Sequence, residues 1–161
     1  MRYPYLIGVL LITIIGVWWL LGEDPEARVR EAHADLVQFL SKSEGDSDGS
    51  LSVLQLRALE ALFAGTCDVS GDAEGLAGSY SPQELVGLII RVRSAMTSVE
   101  LQLGEITIEF PQEDVAVARF SASLDGLDSN GERRVQAREV ESRMRDVDGA
   151  WQFVSFTLAE R

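Results

Sequence analysis

Few side chains in this sequence could do chemistry, and the first is its single histidine. Imidazole is the side chain that ordinarily titrates near neutral pH, so His33 is the natural candidate for moving a proton or holding a ligand. It falls on the stripe Val29, His33, Leu36, Val37 and Leu40, which repeats at helical spacing. That placement reads as a core or boundary histidine bonded to a local acceptor, with a catalytic or binding role as the alternative. Tyr80, Arg138 and Glu139 are the other polar candidates for an acid–base site. Each has a structural reading beside the functional one, because a one-residue slip of a strand reverses which residues face inward. No acid stands beside the histidine in an obvious pair. Cys67 is the only cysteine, so no intrachain disulfide can form; it reads as a small buried apolar residue, with a reactive or intermolecular thiol as the alternative.

A second cluster is acidic. From Glu44 through Asp46, Asp48 and Ser50 to Gln55, oxygen-bearing side chains fall at the spacing of a twelve-residue calcium loop, with the turn glycine Gly49 in sixth place. Two departures weaken the pattern: Glu44 opens the loop in place of Asp, and neutral Gln55 stands where a bidentate Glu belongs. Gln55 also has another duty, as third residue of a helix whose cap is Ser52. A solvated acidic loop is the competing reading, and no cofactor is expected.

Residues 3–22 carry no charge, and Leu6 to Leu21 is long enough for a membrane-spanning helix of about 20 residues. Arg2 precedes the run while Glu23 and Asp24 follow it. The positive-inside rule then puts the amino terminus in the cytoplasm and the remainder outside, as a single-pass protein. The small-x-small pattern of a cleaved leader is missing before Glu23, so residues 1–22 read as a retained signal anchor and 23–161 as one domain. All 26 acidic residues lie beyond Gly22 with 13 of the 14 basic ones, giving that domain about −13. Such a surface argues against nucleic acid as a partner.

The elements that must position these groups are three helices, a short strand at Cys67–Val69 after the second of them, and a meander. Asp24-Pro25, Ser52 with Gln55, and Ser81-Pro82 with Glu84 are helix starts. Helix two is expected over Val53–Phe63, and Arg91 and Arg93 of helix three are expected to reach the surface. After it, Val99, Leu101 and Leu103 alternate on odd numbers and Ile106, Ile108 and Phe110 on even ones; the phase change predicts a bulge at Gly104 in one long bent strand. Ala116, Ala118, Phe120, Ala122 and Leu124 form the next strand. Asn130-Gly131 and Asp148-Gly149 are hairpin turns, and an irregularity is expected near Arg138 or Glu139. The last strand, Trp151–Leu158, is apolar on both sides.

This order, with Leu62-Phe63-Ala64 leading to Cys67-Asp68-Val69, the Ser81-Pro82-x-Glu84 start and the Asp148-Gly149-x-Trp151 turn, resembles the nuclear-transport-factor-2-like, or cystatin-like cone, superfamily. The resemblance covers Pro25 to Leu158 and, more narrowly, is to bacterial members with a single amino-terminal anchor, which implies a protein of the bacterial inner membrane with a periplasmic domain. It implies an α+β cone of about three helices on a strongly curved, mainly four-stranded antiparallel sheet, preceded here by the transmembrane helix. Some members of the superfamily are enzymes, such as ketosteroid isomerase and scytalone dehydratase, with acids, His or Tyr in a pocket; others bind ligands or proteins. The expected function is a non-catalytic, membrane-tethered domain that binds a protein partner or a small apolar ligand. Its alternative is a pocket enzyme of isomerase, dehydratase or hydrolase type using His33, Tyr80 or Glu139. A homodimer through the sheet face is a further expectation from the resemblance.

Overall fold

The computed structural model describes residues 22, 24–46, 50–72 and 75–160. The expected anchor lies outside these residues; among them no helix is long and apolar enough to cross a membrane. Three helices form where their caps are written: α1 (Pro25–Leu40), α2 (Val53–Ala61) and α3 (Pro82–Ala95). Asp24 accepts from the Glu26 amide at 3.1 Å. Ser52 with Gln55, and Ser81 with Glu84, close reciprocal capping boxes that satisfy otherwise orphaned amides.

Seven strands complete the described residues: β1 (Phe63–Gly71), β2 (Gly78–Tyr80), β3 (Met96–Leu103), β4 (Thr107–Gln112), β5 (Val115–Asp128), β6 (Arg133–Val147) and β7 (Ala150–Glu160). They form one sheet in the order β2-β1-β7-β6-β5-β3, with β4 also on β5. The expected mainly four-stranded sheet is therefore corrected to seven strands. The meander is its centre, and the extra strands come from β1 joining β7 in parallel and β2 joining β1. Helix two ends at Ala61, so that Phe63 opens β1 opposite Phe153. Gly71 ends β1 at φ +95°, where a Cβ would collide with the Leu158 backbone, so only glycine fits this left-handed position.

The expected bulged strand is bent enough to break in two. β3 and β4 pair with successive stretches of β5, Leu103 opposite Ala122 and Thr107 opposite Arg119. Between them the Gly104 amide donates to Ser121 O at 2.8 Å. A Cβ at Gly104 would run into the Ser121 hydroxyl. β5 and β6 pair without interruption from Val115–Arg145 to Leu127–Arg133, so the irregularity expected near Arg138 or Glu139 is absent there. It lies instead where β6 meets β7: Arg143 pairs with Ser155 and Met144 with Phe153, which leaves Val154 as the extra residue. The shift turns both Phe153 and Phe156 inward, and their rings stack at 4.9 Å.

The inner sheet face and the helices bury one main core, including Val29, Leu59, Phe63, Cys67, Ile89, Met144 and Phe153, beside a smaller cluster of Ala118, Phe120 and Val140. The outer face is polar, with Arg119 bridging Glu109 and Glu141 across three strands. Arg93 departs from expectation: it is buried, and its guanidinium donates to Phe39 O and Ser41 O at the carboxyl end of α1. Lys42, just past α1, returns the arrangement by donating to Arg93 O and Met96 O at the end of α3. Two cations thus cap each other's helices at the ends where the dipole favours positive charge.

Candidate functional site

The stripe that carries His33 turns it into the centre of the cone, and there it is fully buried. Nδ1 lies 2.7 Å from Val29 O and Nε2 lies 2.8 Å from the Ser142 hydroxyl. A carbonyl can only accept, so Nδ1 carries the proton and Nε2 accepts from Ser142. Phe120 and Phe153 meet the ring edge-on, at centroid distances of 5.3 and 5.0 Å. Burial pushes the imidazole below its ordinary pKa, against the Val29 hydrogen bond that favours the charged form; nearby Arg30 lowers it further. His33 is therefore neutral at pH 7 with both nitrogens occupied.

Ser142 is the interior partner of His33, readable from the sequence as inward-facing but not among its polar candidates. It sits between Val140 and Met144 on the apolar face of β6, a position whose period marks it as inward, although nothing local pairs it with a helix 109 residues away. The Ser142–His33 contact has the form of a hydroxyl activated by a base. Hollows of about 800, 250 and 690 Å³ open on the surface formed by the described residues, and neither residue lines any of these.

The remaining candidates are dispersed. Tyr80 is half-buried at the end of β2, its hydroxyl donating to Leu76 O at 2.8 Å. Arg138 is half-buried on the inner face of β6 and donates to Ala137 O. Glu139 follows on the outer, exposed face. Cys67 is buried in β1, its thiol pushed up to about 11 by burial first and by Asp68 second, which makes it inert as a nucleophile at neutral pH.

In the acidic loop, Glu44, Asp46, Ser50 and Gln55 are exposed and Asp48 lies outside the described residues. The Gln55 side-chain oxygen is engaged, accepting from the Ser52 amide at 2.8 Å. Among the described residues no three His, Cys, Asp or Glu side chains converge as a metal site.

Two of these hollows lie outside the cone, between α1 and β3. One hollow of about 800 Å³ runs from Val37 and Gln38 past Lys42, Glu44 and Asp46 to Val99, Asp125 and Arg133. A second, of about 690 Å³, continues along Arg30, Ala34, Leu103 and Ile106, and the two share Val37 and Leu101. Together they form a groove with an apolar floor and a charged rim. β3 is a terminal strand of the sheet, and its outer edge is only partly covered. Lys42 pairs with Val99 through two backbone hydrogen bonds of 2.7 and 3.0 Å, and Ser41 Oγ accepts from the Leu101 amide at 3.2 Å.

No protein-family model matches the chain, and no curated protein does. Solved structures do. A candidate scytalone dehydratase from Novosphingobium aromaticivorans is 17% identical, with a TM-score of 0.66 over 83% of this chain and 81% of that one. A type 2 hexachlorocyclohexane dehydrochlorinase is 15% identical, with a TM-score of 0.65 over 83% and 82%. A protein of unknown function with a cystatin-like fold from Nostoc punctiforme gives 14% and 0.58 over 83% and 89%. At such identities the likeness establishes the fold, the cystatin-like cone that the order of elements led us to expect, and leaves activity to be argued from the site.

Proposed function

We propose that this chain is a non-catalytic binding domain that takes up a protein partner or a small apolar ligand in the groove between α1 and β3. The observation that carries the reading is the contrast in access: the only histidine is sealed and fully hydrogen-bonded inside, while hollows of about 800 and 690 Å³ lie outside. We further infer that residues 6–21 hold the domain at a bacterial inner membrane with its fold on the periplasmic side. The uncharged run and the acids that follow it support this, and tethering raises the effective concentration of the domain at that surface.

A photo-crosslinking residue placed at Gln102, on the groove rim, tests the binding reading against the same residue at Thr157 on the outer sheet face. Expected are discrete adducts from position 102 in intact cells and none from 157; equal labelling from both would defeat it. Replacing Asn130 by Cys and labelling with a membrane-impermeant maleimide tests the topology. Modification before the inner membrane is opened is expected.

The runner-up is a pocket enzyme, favoured by the dehydratase and dehydrochlorinase among the structural neighbours and by the Ser142–His33 hydrogen bond. It requires an opening that exposes both residues.

A further inference from the structure

We infer that the uncovered end of the β3 edge, from the Leu101 carbonyl to Leu103, receives an extended basic segment of a partner protein as an added antiparallel strand. This rests on the binding reading above and names the class of occupant for the same groove.

The first support is backbone geometry. Val99 directs its amide and carbonyl away from β5, to Lys42. Backbone groups alternate sides along a strand, so Leu101 and Leu103 point to the same outer edge. Residues 41–43 cover Val99, Ser41 Oγ takes the Leu101 amide, and the cover stops there; among the described residues no strand lies beside Leu103 on that side. Exposed edges are normally blunted because they template pairing, and here the chain blunts one half and leaves the other open. An incoming strand would continue the line that Lys42 begins, the mode of recognition in which backbone bonds give affinity and alternate side chains give specificity.

The second support is space. The hollow of about 690 Å³ lies in this gap, walled by Ala34 and Val37 of α1 and by Leu103 and Ile106. Every second side chain of an added strand would face that apolar wall.

Charge selects the occupant. The cations at the rim are engaged: Arg30 by Glu26, Arg133 by Asp125, and Lys42 by two carbonyls. Lys42 keeps its charge, but Glu44, Asp46, Glu100 and Glu105 have no ion-pair partner among the described residues, so the groove is left net negative. Its complement is a strand of apolar residues alternating with Lys or Arg.

The test uses the full chain in lipid nanodiscs and a display library of random peptides about 12 residues long. Expected winners alternate apolar and basic residues and slow hydrogen exchange at the Leu103 amide about tenfold or more. They should weaken about tenfold when their own backbone is N-methylated, with Ala34→Trp, which fills the gap from an exposed helical site, and with Glu105→Lys. Peptides that are acidic, or that bind without protecting Leu103, overturn the inference. If no peptide is selected but a dansyl-labelled fatty acid binds wild type and not Ala34→Trp, the inference falls and the binding reading stands. If neither binds, both fall.

Discussion

The interior around His33 and the groove along β3 handle polar groups in opposite ways. Inside, each donor is matched: Val29 O, His33, and Ser142 form a closed chain of hydrogen bonds wrapped by Phe120 and Phe153. Along β3 the matching stops halfway, at the Leu101 amide. A fold that spends a buried polar network on rigidity and leaves a strand edge unfinished separates what holds it together from what it offers to others.

The largest effect that would sharpen this contrast is in the core. Phe153 is fully buried and stacks against Phe156, so Phe153→Ala is expected to cost about 3–5 kcal/mol in denaturant unfolding. Ligand binding at the groove should survive wherever the variant is still folded. A cost below 1 kcal/mol would mean that the interior is looser than its packing indicates.

Next is the polar pair. Ser142→Ala leaves Nε2 of a buried imidazole without a donor, and the expected cost is about 1–3 kcal/mol. Adding His33→Leu removes the stranded acceptor, so the double variant should be less destabilised than the two single costs summed, a coupling that a double-mutant cycle measures directly. Additive costs would show that the hydrogen bond contributes nothing specific.

Acid should act on the same group. Folded His33 is held neutral below its ordinary value of 6.5, whereas in the unfolded chain it titrates near that value. Below about pH 6.5 the unfolded state therefore binds a proton that the folded state refuses. Stability falls with decreasing pH from there until the folded pKa is reached, at no more than about 1.4 kcal/mol per pH unit, and is flat in this respect at higher pH. Comparing wild type with His33→Leu between pH 5 and 8 isolates the histidine from the carboxylates. Parallel profiles would refute the assignment.

Much of this was legible from sequence because the signals were local. Asp24-Pro25, Ser52 with Gln55 and Ser81 with Glu84 announce helices within four residues, and α1, α2 and α3 start there. The phase change at Gly104 marked the bend, and the alternation of β5 marked its inner face. What escaped depended on partners far along the chain. β2 is three residues long and exists because β1 supplies its edge. The displaced irregularity belongs to the β6–β7 pairing, so neither strand shows it alone. The period of β6 turns Ser142 inward, but its partner His33 lies 109 residues earlier and only the packing of α1 brings it there. Arg93 looked like a surface arginine at the end of a helix; its acceptors lie more than 50 residues earlier.

That last pair of cations gives the smallest prediction and ties the two regions together. Lys42→Met keeps the aliphatic stem and removes the charge from the end of α3, so about 0.5–1.5 kcal/mol should be lost. The backbone bridge of Lys42 to Val99 does not use the side chain, but the ammonium helps to hold residues 41–43 against the edge. Hydrogen exchange at the Val99 amide should therefore accelerate in this variant, while amides of β5 facing β6 stay as slow as the modest loss of stability allows. If Val99 is unchanged, residues 41–43 are held by Ser41 and Arg93 instead, and the boundary between covered and open edge is set by α1 and not by its lysine.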